Sequence, residues 1–368
     1  MFIKIFTFHN TINIGAILQS RILKDFVEKE TFLYTEFDNF QPKKTLHAEY
    51  IKPLITKNFY KFKNTIHKNF KIYNWKRKLN KNYSRNLEKK DTKKFVSIYG
   101  SDEIWNVQNH YYGYDPHFFG YKNNSKKISY AASFGKAKLE LISKIQRTEL
   151  SKLLGEFENI SVRDENSCKI VKQLIGYEPQ IVLDPIFLSD LPILDNKDVF
   201  IDKIEKDFAI IYGDYFSEDQ KKIILNFCKK KNLELISISY YSKWVKKNYI
   251  NLDPTIFFQL FKKSKFVFTS MFHGIMFSIK LKKQFYYSVD PVRVNKVSYV
   301  ISEFKLNKRE INASNNLDSD IDYSEINKFF EQWLNNSKSF LIDSINKNTS
   351  RQSVDKSRFK FASKCDDK

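Results

Sequence analysis

The sequence predicts an α/β protein made of two Rossmann-like domains and a long C-terminal helix. Three observations carry this. Short apolar runs alternate with segments of helical apolar spacing, the signature of parallel strands joined by crossover helices. The alternation stops at a polar stretch, Phe187 to Lys206, and restarts at Phe208. Near the end, Ser324 to Ile345 places Ile326, Phe329, Phe330, Trp333 and Leu334 at helical period. The division expected is 1–190 for the first domain, with a basic aromatic helical insert at 57–94, and 205–310 for the second. A closing helix at 320–348 and a flexible tail at 349–368 follow.

Phe2 to Phe8 reads as the first strand and His9 to Asn13 as a polar loop. Ile14 opens a helix to about Glu28, with Gly15 at its mouth. A glycine there admits a close ligand or serves only a tight turn. Thr31 to Phe37 reads as a second strand. From Lys57 to Lys94, fourteen Lys or Arg meet only Glu88 and Asp91, and Phe70, Tyr73 and Trp75 are among the rings between them. Ile66, Phe70, Tyr73 and Leu79 are loosely helical in spacing. The mixture suits surface helices with snorkelling lysines, or an interfacial membrane segment. A nucleic-acid surface ranks third, because no RNA- or DNA-binding module accompanies the charge. No nucleic-acid partner is expected.

Phe95 to Tyr99 is a strand ending in Gly100-Ser101-Asp102-Glu103-Ile104-Trp105-Asn106. Open α/β sheets bind ligands beyond such strand ends. Asp102 can accept from sugar hydroxyls and Trp105 can stack on a sugar face; the alternative is a helix cap by Ser101 or Asp102. Lys127 to Ala132 is a strand, followed by a helix from about Leu139 to Phe157. Asn159 to Arg163 is a strand, Glu165 to Ile175 a helix, and Gln180 to Leu183 a strand closed by Asp184-Pro185. Arg163 can fork onto a carboxylate or phosphate, or pair with Asp164 or Glu165.

The second half reads Phe208 to Tyr212 strand, Glu218 to Lys231 helix, Leu233 to Tyr240 strand and Pro254 to Lys263 helix. Lys265 to Thr269 is a strand, Ser270 supplies a capping hydroxyl, and a buried helix begins near Gly274 and runs to Leu281. Its free amides and dipole attract an anion. His273 stands at that junction, where an imidazole can exchange a proton beside a bound anion. The alternative is that it caps its own helix or bonds a neighbouring carbonyl. Gln284 to Val289 is a strand and Lys296 to Leu306 a helix. Asn312 to Asp320 is a polar run, and Asn346 to Lys368 a polar end.

Composition bounds the function classes. The 368 residues contain 63 Lys+Arg and 42 Asp+Glu, a net charge of +21 that favours anionic partners. Cys168, Cys228 and Cys365 are odd in number and far apart, which suggests reduced thiols. Met1 leads straight into a strand pattern without signal-peptide features. A cytoplasmic protein is expected, with peripheral contact at the inner face of the membrane as a candidate. The six histidines have no partner at metal-ligand spacing, so no metal and no cofactor are expected. Walker, Gly-x-Gly-x-x-Gly and Gly-x-Ser-x-Gly patterns are absent from the sequence.

Six segments together resemble the polysaccharide pyruvyl transferases. They are Asn13-Ile14-Gly15-Ala16-Ile17-Leu18-Gln19, the Gly100 to Asn106 run, Tyr130-Ala131-Ala132-Ser133-Phe134-Gly135, Ser161-Val162-Arg163, Leu183-Asp184-Pro185 and Phe272-His273-Gly274. They occur in that family's order. The resemblance implies a GT-B-like fold and transfer of a pyruvyl group from phosphoenolpyruvate to two hydroxyls of a sugar, giving a ketal. It implies His273 as acid/base residue and Arg163 as the grip on the donor's carboxylate or phosphate. Ser270, Gly274 and Lys296 fall on the donor side, and Asn13, Gly15, Asp102 and Trp105 on the acceptor side. Met271 stands where some members carry arginine, and Lys296 where arginine is frequent; Lys282 and Arg293 are candidate replacements. The implied partners are phosphoenolpyruvate and a sugar acceptor, with lipid-linked sugars among the candidates. Two other readings are a GT-B-type glycosyltransferase using a nucleotide sugar and a non-catalytic binder built on Lys57 to Lys94.

Overall fold

The computed structural model describes residues 1–40, 59–83, 94–109, 113–190, 204, 206–289, 294–312, 317 and 319–349. Strands β1 (Phe2–Phe6), β2 (Thr35–Phe37), β3 (Phe95–Tyr99) and β4 (Lys126–Ser129) form a parallel sheet in the order β2-β1-β3-β4. Bridges from Ile128 to Asn159 and from Ala132 to Val162 extend it to β5 (Ser161–Val162). That strand pairs with β6 (Gln180–Ile181). The second sheet contains β7 (Phe208–Tyr212), β8 (Glu234–Ile238), β9 (Lys247–Tyr249), β10 (Phe266–Thr269) and β11 (Gln284–Tyr287). Its order is β11-β10-β7-β8-β9, again parallel throughout.

Parallel ladders need crossover helices that cover both faces, so the central strands read as continuous apolar runs. The Phe-Ala-Ile-Ile-Tyr run of β7 is buried at every position. The helices described are α1 (Ile14–Thr31), α2 (Phe59–Tyr83), α3 (Lys144–Leu154), α4 (Glu165–Ile175), α5 (Glu218–Lys230), α6 (Pro254–Lys263), α7 (Phe272–Lys280), α8 (Val294–Glu303) and α9 (Tyr323–Thr349). Capping residues set several starts. Asp164 accepts from the Ser167 amide, Ser217 and Gln220 form a capping box, and Asp253 caps α6 ahead of Pro254. Strand order reverses between β1 and β3 and again between β7 and β10. These are the two switch points where such sheets leave a crevice.

One buried cluster runs from Ile3 and Ile17 through Ile186 and Phe187 to Phe257 and Phe277, joining the halves. Helix α9 ties them again. The Tyr323 hydroxyl donates to the Lys283 carbonyl at 2.5 Å in the second half. Further along, Trp333 Nε1 donates to the Ile181 carbonyl at 3.0 Å and Ser337 Oγ accepts from the Leu183 amide at 3.0 Å in the first. Two parallel sheets closed by a returning helix make the GT-B-like architecture. Among the described residues, no helix is long and apolar enough to cross a membrane.

Several boundaries differ from the sequence expectation. Helix α1 runs on to Thr31, because Phe26, Val27 and Thr31 all face the core, and only Thr35–Phe37 is strand. The helix expected from Leu139 to Phe157 is a 3-10 turn at Leu139–Leu141 followed by α3. Ser143 restarts it by accepting from the Gln146 amide. Strand β9 was not expected; it shows no alternation and is held by Asn248, which bonds Ser242 and Val245. Within the basic insert, 59–83 is one helix, and 57–58 and 84–93 lie outside the described residues. So do 191–203 and 205 of the stretch read as a linker, and 350–368 of the tail; 346–349 continue α9.

Candidate active site

Both switch points deliver a helix start to one place. After β1, Asn13 caps α1, its Oδ1 accepting from the Gly15 amide at 3.0 Å. After β10, α7 begins at Phe272 with Met271 as N-cap and no side-chain cap bond. This corrects the capping role expected of Ser270. Its hydroxyl accepts from the Tyr215 amide at 3.2 Å in the loop after β7, while Thr269 Oγ1 accepts from the Met271 amide. The second residues of α1 and α7, Gly15 and His273, meet. A Cβ on Gly15 would stand 2.5 Å from His273 Nδ1 and 2.6 Å from its Cγ. Only a hydrogen fits between this backbone and the imidazole.

His273 is 7% exposed, and its Nε2 has no hydrogen-bond partner among the described residues. The nearest carboxylate oxygen is Asp184 Oδ2, 4.0 Å away. That oxygen also accepts from Arg163 Nη1 at 3.1 Å, while Arg163 Nη2 donates to Asp102 Oδ1 at 3.0 Å. The Arg163 guanidinium lies 4.6 Å from the centre of the Phe272 ring, one residue before the histidine. Asp102 reaches this position because its backbone is left-handed at φ 76°, which aspartate tolerates. One cation and two carboxylates therefore stand beside the imidazole, under the positive ends of two helices.

Burial raises the cost of charging His273 and holds its pKa below the usual 6.5, against Asp184 and Asp102 and together with Arg163. In the free protein at neutral pH the imidazole is thus neutral. An unfolded chain takes up a proton near pH 6.5 that folded His273 refuses, so stability falls as pH drops below about 6.5. The loss levels off below the lowered folded value. Thermal melts of wild type and His273→Gln across this range should show the variant with the shallower acid decline. His9, also lowered by burial, keeps the variant's slope above zero.

Gly15→Ala separates two opposing effects. Helix propensity alone favours alanine by about 1 kcal/mol. Overpacking against the imidazole costs about 1–3 kcal/mol and shifts the ring. The expected result is a lower melting temperature and a turnover reduced roughly 10-fold or more, since catalytic geometry tolerates little displacement.

His273, Arg163, Asp102 and Gly15 are brought together, with Asn13 capping α1 and Gly274 following His273 in α7, whereas Trp105 is not. Trp105 is fully buried, donates to the Phe118 carbonyl and stacks on Phe119, so it cannot lie against a sugar. Gly274 faces inward: a Cβ there would meet Thr269 Oγ1 at 2.0 Å, so the glycine lets α7 sit on its own sheet. Arg163 donates from each Nη to an aspartate, clamping Asp102 and Asp184, while its buried Nε has no hydrogen-bond partner among the described residues. Lys296 lies in α8, with its side chain outside the described atoms, and Arg293 lies outside the described residues. Asp184 was read as the close of a strand and as part of one of the six resembling segments, without a role at the site. Its signal was a carboxylate at a strand's C-terminal end followed by proline; its Oδ1 also caps the 3-10 turn Pro185–Phe187. Gln19 was not singled out either: it is buried against Ser101, and its Nε2 has no hydrogen-bond partner among the described residues.

A family model described as polysaccharide pyruvyl transferase matches residues 13–289. No curated protein matches the chain. Among solved structures, an S. aureus MnaA–UDP structure is 11% identical, with 92% of this chain and 91% of that one covered and a TM-score of 0.47. A UDP-GlcNAc 2-epimerase from Methanocaldococcus jannaschii in complex with UDP-GlcNAc and UDP is 10% identical, covering 94% and 100%, with a TM-score of 0.45. The E. coli heptosyltransferase WaaC with ADP is 10% identical, covering 90% and 100%, with a TM-score of 0.36.

Proposed function

The chain belongs to the polysaccharide pyruvyl transferase family and is a transferase; from that premise we propose that it moves a pyruvyl group from phosphoenolpyruvate onto two hydroxyls of a sugar in a surface polysaccharide or its precursor, forming a ketal. The observation that carries this is the His273 imidazole, with Nε2 unpartnered among the described residues at the meeting of two helix starts. The donor carries a carboxylate and a phosphate. The uncapped start of α7 answers such charge with backbone amides and dipole.

The chemistry follows from charge. A dianionic donor beside a neutral, buried imidazole raises its pKa, so a proton is taken up with the donor. His273 delivers that proton to the terminal enol carbon, leaving a cation-like centre at the adjacent carbon. The surplus carboxylate of the Arg163, Asp102 and Asp184 group favours that centre. The first sugar hydroxyl adds there and loses its proton to His273. Phosphate departs with the C–O bond electrons and leaves a second cation-like centre at the same carbon; the second hydroxyl adds there to close the ring and gives its proton to the departing phosphate. Residues 205–310 are assigned to the donor side and 1–190, with Asn13 and Asp102, to the acceptor side.

The test is purified protein with phosphoenolpyruvate and a panel of lipid-linked and nucleotide-linked sugars. Phosphate release, together with a sugar product carrying the mass of a pyruvate ketal, is expected. Thermal stabilisation by a nucleoside diphosphate and none by phosphoenolpyruvate, with no phosphate released, would favour the nucleotide-sugar transferase instead.

A further inference from the structure

We propose that the outward stripe of α2 docks this protein on a bilayer of anionic phospholipid. The 25 residues of α2 include eight Lys or Arg and no Asp or Glu. Its inward seam is Thr65, Lys68, Ile72 and Trp75, all buried. The outward seam, at the same three-four spacing, is Lys63, Ile66, Phe70, Tyr73 and Arg77. A helix whose outer face meets only water carries polar side chains there. Here Ile66 is 43% exposed, Phe70 65% and Tyr73 63%, with cations at both ends of the stripe. Lys63, Lys71, Arg77 and Lys78 pair with no carboxylate among the described residues.

Rings and an aliphatic chain at headgroup depth, flanked by lysines, match an anionic lipid surface. The stripe suits lipid better than nucleic acid because Ile66 offers no stacking face. Beside it, a cavity of about 390 Å³ is lined by the rings of Phe70 and Trp75 together with His67, Lys71, Asn74 and Lys78, so that apolar surface and two lysines meet where a lipid headgroup would sit. Asp253 also lines it and caps α6. Helix α2 is fixed to both edges of the crevice. Trp75 Nε1 donates to Thr255 Oγ1 at 2.8 Å in the second half, and Lys76 Nζ donates to the carbonyls of His9 and Thr11 in the first. Docking by this helix therefore holds the crevice at the bilayer surface.

Flotation of the full chain with vesicles tests this without donor or acceptor, so it is read independently of the pyruvyl chemistry. The protein should float with phosphatidylcholine vesicles containing phosphatidylglycerol, stay behind with phosphatidylcholine alone, and be released by salt. Ile66→Ser/Phe70→Ser/Tyr73→Ser and, separately, Lys63→Gln/Lys71→Gln/Arg77→Gln/Lys78→Gln should each weaken vesicle binding roughly 10-fold or more. Both sets leave the inward seam untouched, so their melting temperatures should match wild type. Failure of the wild type to float with anionic vesicles overturns the proposal. So does wild-type flotation by either folded variant, or binding to single-stranded RNA in place of vesicles.

Discussion

Arg163→Met should destabilise the folded protein by about 3–5 kcal/mol, a large part of the stability of an ordinary domain. The side chain is 2% exposed and bridges two aspartates from different segments. Methionine keeps most of the length and the packing on Phe272 but removes the guanidinium that bridges Asp102 and Asp184. The loss is therefore assigned to the two broken ion pairs rather than to an empty space. Arg163→Met/Asp184→Asn tests that assignment, because a neutral amide needs no cation; it should recover part of the urea midpoint lost by the single variant. Arg163→Lys keeps the charge without the planar fork and should recover less than wild type. A loss below about 1 kcal/mol for Arg163→Met would place the pair in the range of exposed ion pairs and remove the clamp from the account.

His273→Gln should leave the fold intact and reduce phosphate release from phosphoenolpyruvate by about 10²–10⁴-fold. Glutamine fills similar space beside Gly15 but cannot carry the proton. The loss should fall on kcat more than on KM, because donor charge is answered by helix amides rather than by this ring. Near-wild-type turnover in the folded variant would take His273 out of the chemistry and shift attention to Asp184, the nearest other titratable group. The acid decline in stability provides a separate readout, since it reports the buried imidazole whether or not the donor is right.

Much of the site was legible as a set of junctions. His273, Arg163, Asp102 and Gly15 each follow a strand-like run, and a parallel sheet places all such ends on one edge. What each side chain does there was less legible. Trp105 follows the same strand end as Asp102 yet turns into the core, where its indole finds the Phe118 carbonyl. Ser270 and Thr269 are adjacent hydroxyls with equal capping chemistry; only the backbone path shows that Thr269 supports the start of α7 and Ser270 the loop after β7. Trp75, one of many rings in the basic insert, proves to be the inward anchor of α2 because its partner, Thr255, lies in the other half.

Read alone, the chain determined the alternation of strands and helices, the two-sheet class, the returning helix and the junctions where chemistry collects. Those properties are local: they follow from apolar period, capping residues and the few glycines, each felt within a turn or a strand. The tertiary structure decided the pairings, such as Asp184 shared by Arg163 and His273, Asp102 held by Arg163 from 61 residues away, and Gly15 pressed on an imidazole from the other half. No local pattern encodes them, because a contact across packed elements depends on how whole helices and sheets meet. The charge that tunes His273 is set at that meeting.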